Sequence, residues 1–347
     1  MKLPVEYTGI TIYKETAPCW NHCRFCSVGA KTFQNISFER FGNLIERFLD
    51  WKEQKQLRSF HISYGNLYAN SMPIGELLRL QKLWQRSGVD LHTAQFQNPP
   101  NLSMNGIQFM PADELRDWLL ARKEVGLSHI VMSFAGLKDF HDTWVGRKGE
   151  FDFLLRMARI AAEIDMNRLE MLFLTKSTLS QLAPLMDILD TIPNRANRII
   201  KPLLYMGWAK NLENERITQA MADQFPERIS QYLKLGNFKS ESEWTAALTN
   251  GYRPPFANRK HILIKLREDT IDLLEAKSCD EIIADLAERY DKVHAALPEL
   301  NELASMYGDV ANRRLYVLAE LERKWTQLYL QQNPQISAED YQIVNWW

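Results

Sequence analysis

Two hydrophobic periods alternate along this chain. Short β-rich runs such as Thr8–Tyr13 and His129–Phe134 are followed by stretches with apolar residues at helical spacing, as in Ser37–Trp51. Strands and helices are predicted to alternate about six times before the pattern changes. This alternation is typical of a parallel α/β fold, in which the loops after the strands form the active site.

The other predicted elements follow the same rule. Pro73 suits the first turn of a helix, and Gly126 suits the end of one. The predicted strands are Ser59–Ser63, Asp90–Phe96, Leu169–Thr175 and Ile199–Met206, and the helices are Met72–Arg86, Pro111–Val125, Phe151–Ile164 and Leu179–Ile192. Residues 19–26, the loop Tyr64–Asn66 and Ser133–Gly136 all follow predicted strands. We therefore expect them to gather at one mouth of the sheet.

The pattern changes after residue 240. Asn250–Ala257 is rich in turn residues, and His261–Leu266 reads as an extra strand. Helices are predicted over Ser278–His294 and Asn312–Gln331. We therefore expect two parts, a partial (β/α)₆ TIM-like barrel over residues 1–240 and a mainly helical extension or cap over residues 241–347.

Composition narrows the class of protein without identifying it. The 347 residues are 46% hydrophobic, and 42 basic residues against 43 acidic ones give a net charge of −1. This balance does not favour binding to nucleic acid or anionic membranes. The N-terminus does not resemble a signal peptide, and no apolar run approaches the roughly 18 residues of a membrane span. We expect a soluble cytoplasmic protein with reduced thiols.

Three of the four cysteines lie within eight residues. Cys19, Cys23 and Cys26 have the spacing CxxxCxxC, and the only other cysteine is Cys279. Thiolates are the usual ligands of iron–sulfur clusters, so this loop could hold a 4Fe–4S cluster while one iron stays open to a small molecule.

Zinc is the main alternative for these cysteines. His22 could complete a Cys₃His set of ligands, which is one of the tetrahedral sets that zinc prefers. Adjacent His22 and Cys23 would have difficulty reaching one ion, and no second CxxC or HxxxH pair exists. A third possibility is that the three cysteines are simply buried.

The cysteine motif after a first strand, followed by about six βα units, resembles the radical S-adenosylmethionine (radical SAM) superfamily over roughly residues 8–210. The resemblance implies a 4Fe–4S cluster on Cys19, Cys23 and Cys26, with S-adenosylmethionine on the open iron. An external one-electron reductant, flavodoxin- or ferredoxin-like, would supply the electron. Reductive cleavage would then give methionine and a 5′-deoxyadenosyl radical, which takes hydrogen from the substrate.

The resemblance also implies cofactor-binding residues. Phe25 matches an aromatic position near the adenine, although it could equally be a core phenylalanine. Tyr64, Gly65 and Asn66 lie where the family has a Gly-Gly-Glu-like segment that meets the methionine amino group. Here there is one glycine, and Asn66 replaces the acid, so an ionic contact would be lost.

A further segment resembles the fourth strand of the peptide-modifying branch. Ser133 matches a serine that contacts the ribose, and Arg147 matches an arginine that pairs with the methionine carboxylate. The alternatives are a strand-end serine and a solvated loop arginine. His141-Asp142 reads as a loop or cap pair, and Tyr205–Leu212 resembles the segment after strand six.

The extension over residues 241–347, which we call the tail, departs from the peptide-modifying branch. Cys279 is its only cysteine, which rules out a second cluster built from tail cysteines. Ser278–Glu281 reads as a capping box at the start of a helix, where a thiol pKa is lowered. Cys279 could therefore donate hydrogen to a substrate radical if the tail folds over the mouth. The alternative is an ordinary residue at a helix start.

These patterns together predict a single-cluster radical SAM enzyme that abstracts hydrogen from a peptide or a peptide-like natural product. Radical modification of a small metabolite is the alternative reaction. A zinc-binding protein without catalysis is the alternative from another class.

Overall fold

The structure is a computed structural model that describes residues 7–14, 19–26, 36–58, 60–66, 73–87, 101–127, 129–194, 196–254 and 260–336. The strands within these ranges are β1 (Tyr7–Lys14), β2 (His61–Asn66), β3 (Asn101–Ser103), β4 (His129–Phe134), β5 (Asn167–Leu174), β6 (Asn197–Pro202), β7 (Phe238–Ser240), β8 (Lys260–Leu266) and β9 (Leu315–Val317).

Helices alternate with these strands. The α-helices are α1 (Phe38–Gln54), α2 (Ile74–Ser87), α3 (Ala112–Glu124), α4 (Lys138–Val145), α5 (Glu150–Glu163), α6 (Leu182–Leu189), α7 (Gln219–Ala222), α8 (Glu227–Ser230), α9 (Glu241–Thr249), α10 (Ile271–Ala276), α11 (Cys279–Ala295), α12 (Leu300–Tyr307) and α13 (Leu318–Gln332). Two 3₁₀ segments cover Leu179–Gln181 and Gly207–Glu215.

The strands form two parallel sheets and a small antiparallel pair. β1 pairs with both β2 and β8, whereas β3, β4, β5 and β6 pair in chain order. β7 pairs with β9 in antiparallel. Parallel neighbours need long crossovers, which the helices provide here. The predicted parallel α/β architecture is confirmed. β2 and β3 are not paired among the described residues, so barrel closure stays a prediction.

The second parallel sheet has two different faces because side chains alternate along a strand. Met132, Phe134, Leu172 and Leu174 are fully buried in the core that the sheet forms with its helices. The alternate residues are half-buried and line the opposite face, which we call the inner face. It consists of Val131, Ser133, Leu169, Met171, Phe173, Ile199 and Lys201.

Several predicted boundaries change in the structure. β4 has the predicted bounds, but β2 continues to Asn66, so the prediction of a loop over Tyr64–Asn66 was wrong. The sixth strand ends at Pro202 rather than Met206; proline has no N–H to donate to a ladder. The predicted strand Asp90–Phe96 lies outside the described residues.

The tail contributes to two cores. Ile262, Ile264 and Ile282, from β8 and α11, belong to the main core of sheets and helices. Trp244 and Trp325 instead belong to a separate cluster formed by α9, α12, α13 and β9. The domain boundary at residue 240 stays a prediction.

None of the helices in the described part of the chain has the length and apolarity that crossing a membrane requires.

Candidate functional site

The cysteine loop, residues 19–26, is held to other segments by its backbone. Alternate amides of the loop donate hydrogen bonds to carbonyls that follow β3 or lie at the end of α4. These bonds join Trp20 N to Gly106 O at 2.9 Å, His22 N to Val145 O at 2.8 Å, and Arg24 N to Trp144 O at 2.9 Å. The Cys26 carbonyl accepts the Trp208 N–H at 2.8 Å, from the segment after β6. The loop thus lies against segments that follow three parallel strands, where active sites of such folds form.

Glu150, the first residue of α5, is a fully buried carboxylate that joins this loop to the segment after β3. Its Oε1 accepts hydrogen bonds from Asn21 Nδ2 at 3.0 Å and from the Gly106 N–H at 2.9 Å. Its Oε2 accepts one from Arg147 at 3.1 Å. Burial raises the pKa of Glu150, and these three donors oppose the rise. Because Asn21 lies between the first two cysteines, Glu150 positions the part of the loop that carries them.

Arg147 belongs to the same arrangement. Its guanidinium donates a hydrogen bond to the Ile107 carbonyl at 2.6 Å and lies 3.4 Å from the centroid of the Phe109 ring. Burial lowers the pKa of Arg147, while the nearby charge of Glu150 opposes the change. The predicted contact with a methionine carboxylate stays a prediction. In the structure this guanidinium supports the cysteine loop.

Gly106 is required by the position of the Cys19 thiol. Its φ of +76° lies in the left-handed region, and a Cβ built on it would be 2.3 Å from Cys19 Sγ. Any other residue would therefore strain the backbone and overlap the sulfur. Sequence reasoning did not single out Gly106, although Asn-Gly after a strand is a recognised turn signal.

Phe25 joins an aromatic cluster beneath the loop. Its ring centroid lies 4.9 Å from that of Phe173 on β5 and 5.9 Å from that of Trp144 on α4. Ala135, Leu203 and Tyr205 belong to the same cluster. Both interpretations of Phe25 are therefore compatible with the structure, since the ring is packed and still half-exposed. Its contact with adenine stays a prediction.

Ser133 lies on the inner face, one residue before the end of β4. Asn105 holds its backbone from both sides, because Oδ1 accepts the Ser133 N–H at 2.7 Å and Nδ2 donates to the Ser133 carbonyl at 2.7 Å. The segment after β3 thus supports the cysteine loop through Gly106 and the end of β4 through Asn105. The ribose contact of Ser133 stays a prediction.

The predicted contacts of Tyr64, Gly65 and Asn66 also stay predictions. These residues are paired in register with Ile12, Tyr13 and Lys14 of β1, so their backbone is part of the first sheet. Their side chains lie outside the described part of the structure.

His141 and Asp142 have separate structural roles. Asp142 accepts the N–H groups of Gly149 at 2.6 Å and Phe151 at 2.9 Å, so its predicted role as a cap is confirmed at the start of α5. His141 lies inside α4 rather than in a loop, and its Nδ1 accepts the Ala135 N–H at 3.1 Å. Burial lowers the pKa of His141 to about 4.

The helical tail supports the segment after β6. Glu320 on α13 accepts the Tyr205 N–H at 2.7 Å and pairs with Arg216 at 3.0 Å. The Arg216 guanidinium lies 4.0 Å from the centroid of the Tyr205 ring. The tail therefore fixes the segment that also contacts Cys26 through Trp208.

Cys279 lies in a different environment. It begins α11 beside the predicted Ser278–Glu281 capping box, which is confirmed. Its side chain is buried in the main core, and its Sγ is 3.7 Å from the Arg47 carbonyl on α1. Burial raises the pKa of this thiol, which corrects the lowering expected from its position at a helix start. Hydrogen donation by Cys279 stays a prediction that this position does not support.

The three loop thiols are a donor set of the kind that binds 4Fe–4S clusters. All four cysteines are reduced, and those of the loop are half-buried. Among the described residues, no three His, Cys, Asp or Glu side chains form a group that could hold one metal ion. Zinc needs ligands that converge on one ion, whereas each cysteine of a 4Fe–4S cluster binds a different iron. Three thiols on one loop therefore fit the cluster as a donor set, and Gly106 leaves room for the Cys19 thiol itself.

Neither a protein-family model nor a curated protein sequence matches the chain. Its fold is similar to several solved structures at low sequence identity. SuiB of Streptococcus suis bound to S-adenosylmethionine is 13% identical, with 75% of this chain and 58% of that chain covered and a TM-score of 0.44. The chain thus spans less than two thirds of the SuiB chain that it matches.

Two further structures are similar over most of the chain. The Escherichia coli coproporphyrinogen III oxidase HemN, described as a radical SAM enzyme, is 14% identical. The match covers 94% of this chain and 81% of that chain, with a TM-score of 0.40. The protein anSMEcpe with bound AdoMet is 10% identical. The match covers 94% of this chain and 98% of that chain, with a TM-score of 0.46.

Proposed function

We propose that this chain is a radical SAM enzyme with one 4Fe–4S cluster on Cys19, Cys23 and Cys26. The observation that carries the proposal is a CxxxCxxC loop fixed across the ends of parallel strands, while Cys279 lies against α1. When bound, the cluster and S-adenosylmethionine on its open iron supply one-electron cleavage of the sulfonium and a carbon radical that abstracts hydrogen.

The chain's own residues have supporting roles in this proposal. Glu150 and Asn21 orient the cysteine loop, and Gly106 leaves space beside the Cys19 thiol. Phe25, Phe173 and Trp144 form an apolar wall that excludes water from a reactive site. Ser133 presents a hydroxyl at the end of β4, where it is assigned to the ribose.

The substrate is proposed to be a peptide or a peptide-like natural product, because the segments around Ser133, Arg147 and Tyr205 resemble the peptide-modifying branch. Radical modification of a small metabolite is the alternative. The electron would come from a flavodoxin- or ferredoxin-like protein, in keeping with a cytoplasmic enzyme. Residues 1–240 would form the catalytic part and residues 241–347 its cap.

Anaerobic reconstitution tests the enzyme class. The protein should bind about four irons and four sulfides, turn brown, and form 5′-deoxyadenosine with S-adenosylmethionine and dithionite. Bound zinc without absorbance near 400 nm would contradict the proposal.

The substrate class needs a second measurement on the loaded protein. Peptides encoded by neighbouring genes should increase 5′-deoxyadenosine formation above the rate without substrate. An increase with small metabolites alone would favour the alternative.

A further inference from the structure

Lys201 lies on the inner face of β6. On the opposite face of the same two strands, Ile200 is buried in the core and Arg198 pairs with Glu170 at 2.7 Å. Because side chains alternate along a strand, Lys201 must point away from both. Its partner in the parallel register is Phe173 on β5.

This register places Lys201 beside the cysteine loop. Neighbouring strands are about 5 Å apart, so the Lys201 side chain starts next to Phe173. Phe173 in turn contacts Phe25, which lies between the second and third cysteines. The flexible four-carbon stem of a lysine can carry its ammonium into the space in front of this aromatic pair.

Among the described residues, the half-buried Lys201 has no counter-charge, whereas three other cations of this region are paired with carboxylates. Arg147 pairs with Glu150, Arg198 pairs with Glu170, and Arg216 pairs with Glu320. Within the described residues, no acidic group, carbonyl or aromatic ring contacts the Lys201 ammonium. Burial lowers the pKa of Lys201, with no neighbouring charge opposing it. A lysine that loses part of its hydration favours an anionic partner, because removing an ammonium from water is costly.

The surroundings restrict what could provide that partner. The neighbouring inner-face residues Met171, Phe173 and Ile199 are apolar, and Ser133 contributes one hydroxyl two strands away. A mainly apolar ligand with one anionic group would match this surface.

We propose that Lys201 binds a carboxylate of the substrate, as an ammonium–carboxylate pair on the inner face beside Phe25 and Phe173. The inference rests on the proposed function and restricts its substrate to molecules that carry a carboxylate near the site of hydrogen abstraction. In a peptide this group is an acidic side chain or the chain terminus. In a metabolite it is an organic acid.

Protection from amine acetylation tests the site without a known substrate. The full-length protein is treated with a short pulse of an acetylating reagent, and modification of Lys201 is measured by mass spectrometry. Hexanoate is the probe, and hexanamide is its neutral control of the same shape. At about ten times its dissociation constant, hexanoate should slow acetylation of Lys201 about tenfold. Exposed Lys176 serves as the internal control and should not change.

Two further arms identify the source of the carboxylate and confirm the residue. S-adenosylmethionine alone should leave the acetylation of Lys201 unchanged in the cluster-loaded protein. If S-adenosylmethionine protected Lys201, the carboxylate paired with this lysine would be that of the cosubstrate, and the inference would be overturned. A Lys201→Met variant should lose hexanoate binding in equilibrium dialysis, whereas Lys176→Met should keep it.

The result is separable from the fate of the proposed function. Acetylation of Lys201 at the rate of Lys176, with no effect of hexanoate, would show a solvated lysine and overturn the inference. Protection without any 5′-deoxyadenosine formation would overturn the proposed enzyme class and leave the carboxylate site in place.

Discussion

The loop cysteines and Cys279 show how differently one chain can use the same side chain. The loop thiols are half-buried on a segment that three neighbouring segments hold by backbone hydrogen bonds. Cys279 is buried between α1 and α11, where its raised pKa keeps it a neutral thiol. Exposure and support from distant residues therefore distinguish the three cysteines that we propose as cluster ligands from the one that packs in the core.

Replacing the cysteines gives the largest expected difference between the two environments. Cys19→Ser, Cys23→Ser and Cys26→Ser should each reduce iron in the reconstituted protein from about four per chain to below about one, because a cluster ligand is lost. Cys279→Ala should keep about four irons per chain. Iron and sulfide analysis measures the cluster content of each variant. Loss of the cluster in Cys279→Ala would contradict the distinction between the loop cysteines and Cys279.

Gly106→Ala tests whether the loop depends on space beside Cys19. The left-handed backbone should cost roughly 1–2 kcal/mol, and overlap with the thiol about 1–3 kcal/mol more. Thermal unfolding of the apoprotein and iron retention should both fall. Gly251→Ala is the matched control, because its φ is +88° and no atom lies within 4 Å of the added Cβ. The Gly251→Ala variant should lose only the stability that the left-handed backbone costs, and it should retain its iron. Equal iron loss in both variants would contradict the role of Gly106.

Glu150→Gln tests the buried carboxylate beneath the loop. Loss of its charge leaves Arg147 unpaired and should destabilise the apoprotein by about 2–3 kcal/mol. A chelator should also remove iron faster from the loaded variant. Glu170→Gln is the control, since Glu170 is equally buried and pairs with Arg198 away from the loop. It should lose similar stability with unchanged iron release. Faster release from both variants would show a general loosening instead.

His141 lies in α4, the helix whose last carbonyls accept hydrogen bonds from the cysteine loop. Its pKa is lowered to about 4 in the folded protein, against about 6.5 when unfolded. The unfolded chain therefore takes up a proton first, and stability falls as the pH drops through this window. Between pH 7.5 and 5 the loss should be about 2 kcal/mol.

His141→Asn provides the comparison for this effect, because its Oδ1 can still accept the Ala135 N–H. The pH dependence of its thermal unfolding should be flatter than that of the parent protein by the same amount. Identical pH profiles would show that His141 does not stay neutral.

The sequence predicted the local features of this site and missed the distant ones. The cysteine spacing, β4 and the capping box before Cys279 are patterns of neighbouring residues, and each was recognisable in the sequence. Glu150 and Asn21 are 129 positions apart, so nothing in the sequence near either residue indicates their contact. The predicted lowering of the Cys279 thiol pKa was wrong for the same reason, since burial against α1 is a tertiary effect. The prediction of a loop over Tyr64–Asn66 was wrong because glycine is typical of turns, whereas pairing with β1 keeps Gly65 in a strand.

The central claim is that three loop thiols hold a cluster whose remaining iron binds S-adenosylmethionine. Electron paramagnetic resonance of the anaerobically reduced protein tests it most directly, with the Cys279→Ala variant measured alongside. The account predicts the signal of a reduced 4Fe–4S cluster in both proteins, shifted when S-adenosylmethionine is added. A signal that S-adenosylmethionine does not change, or one that depends on Cys279, would contradict the account.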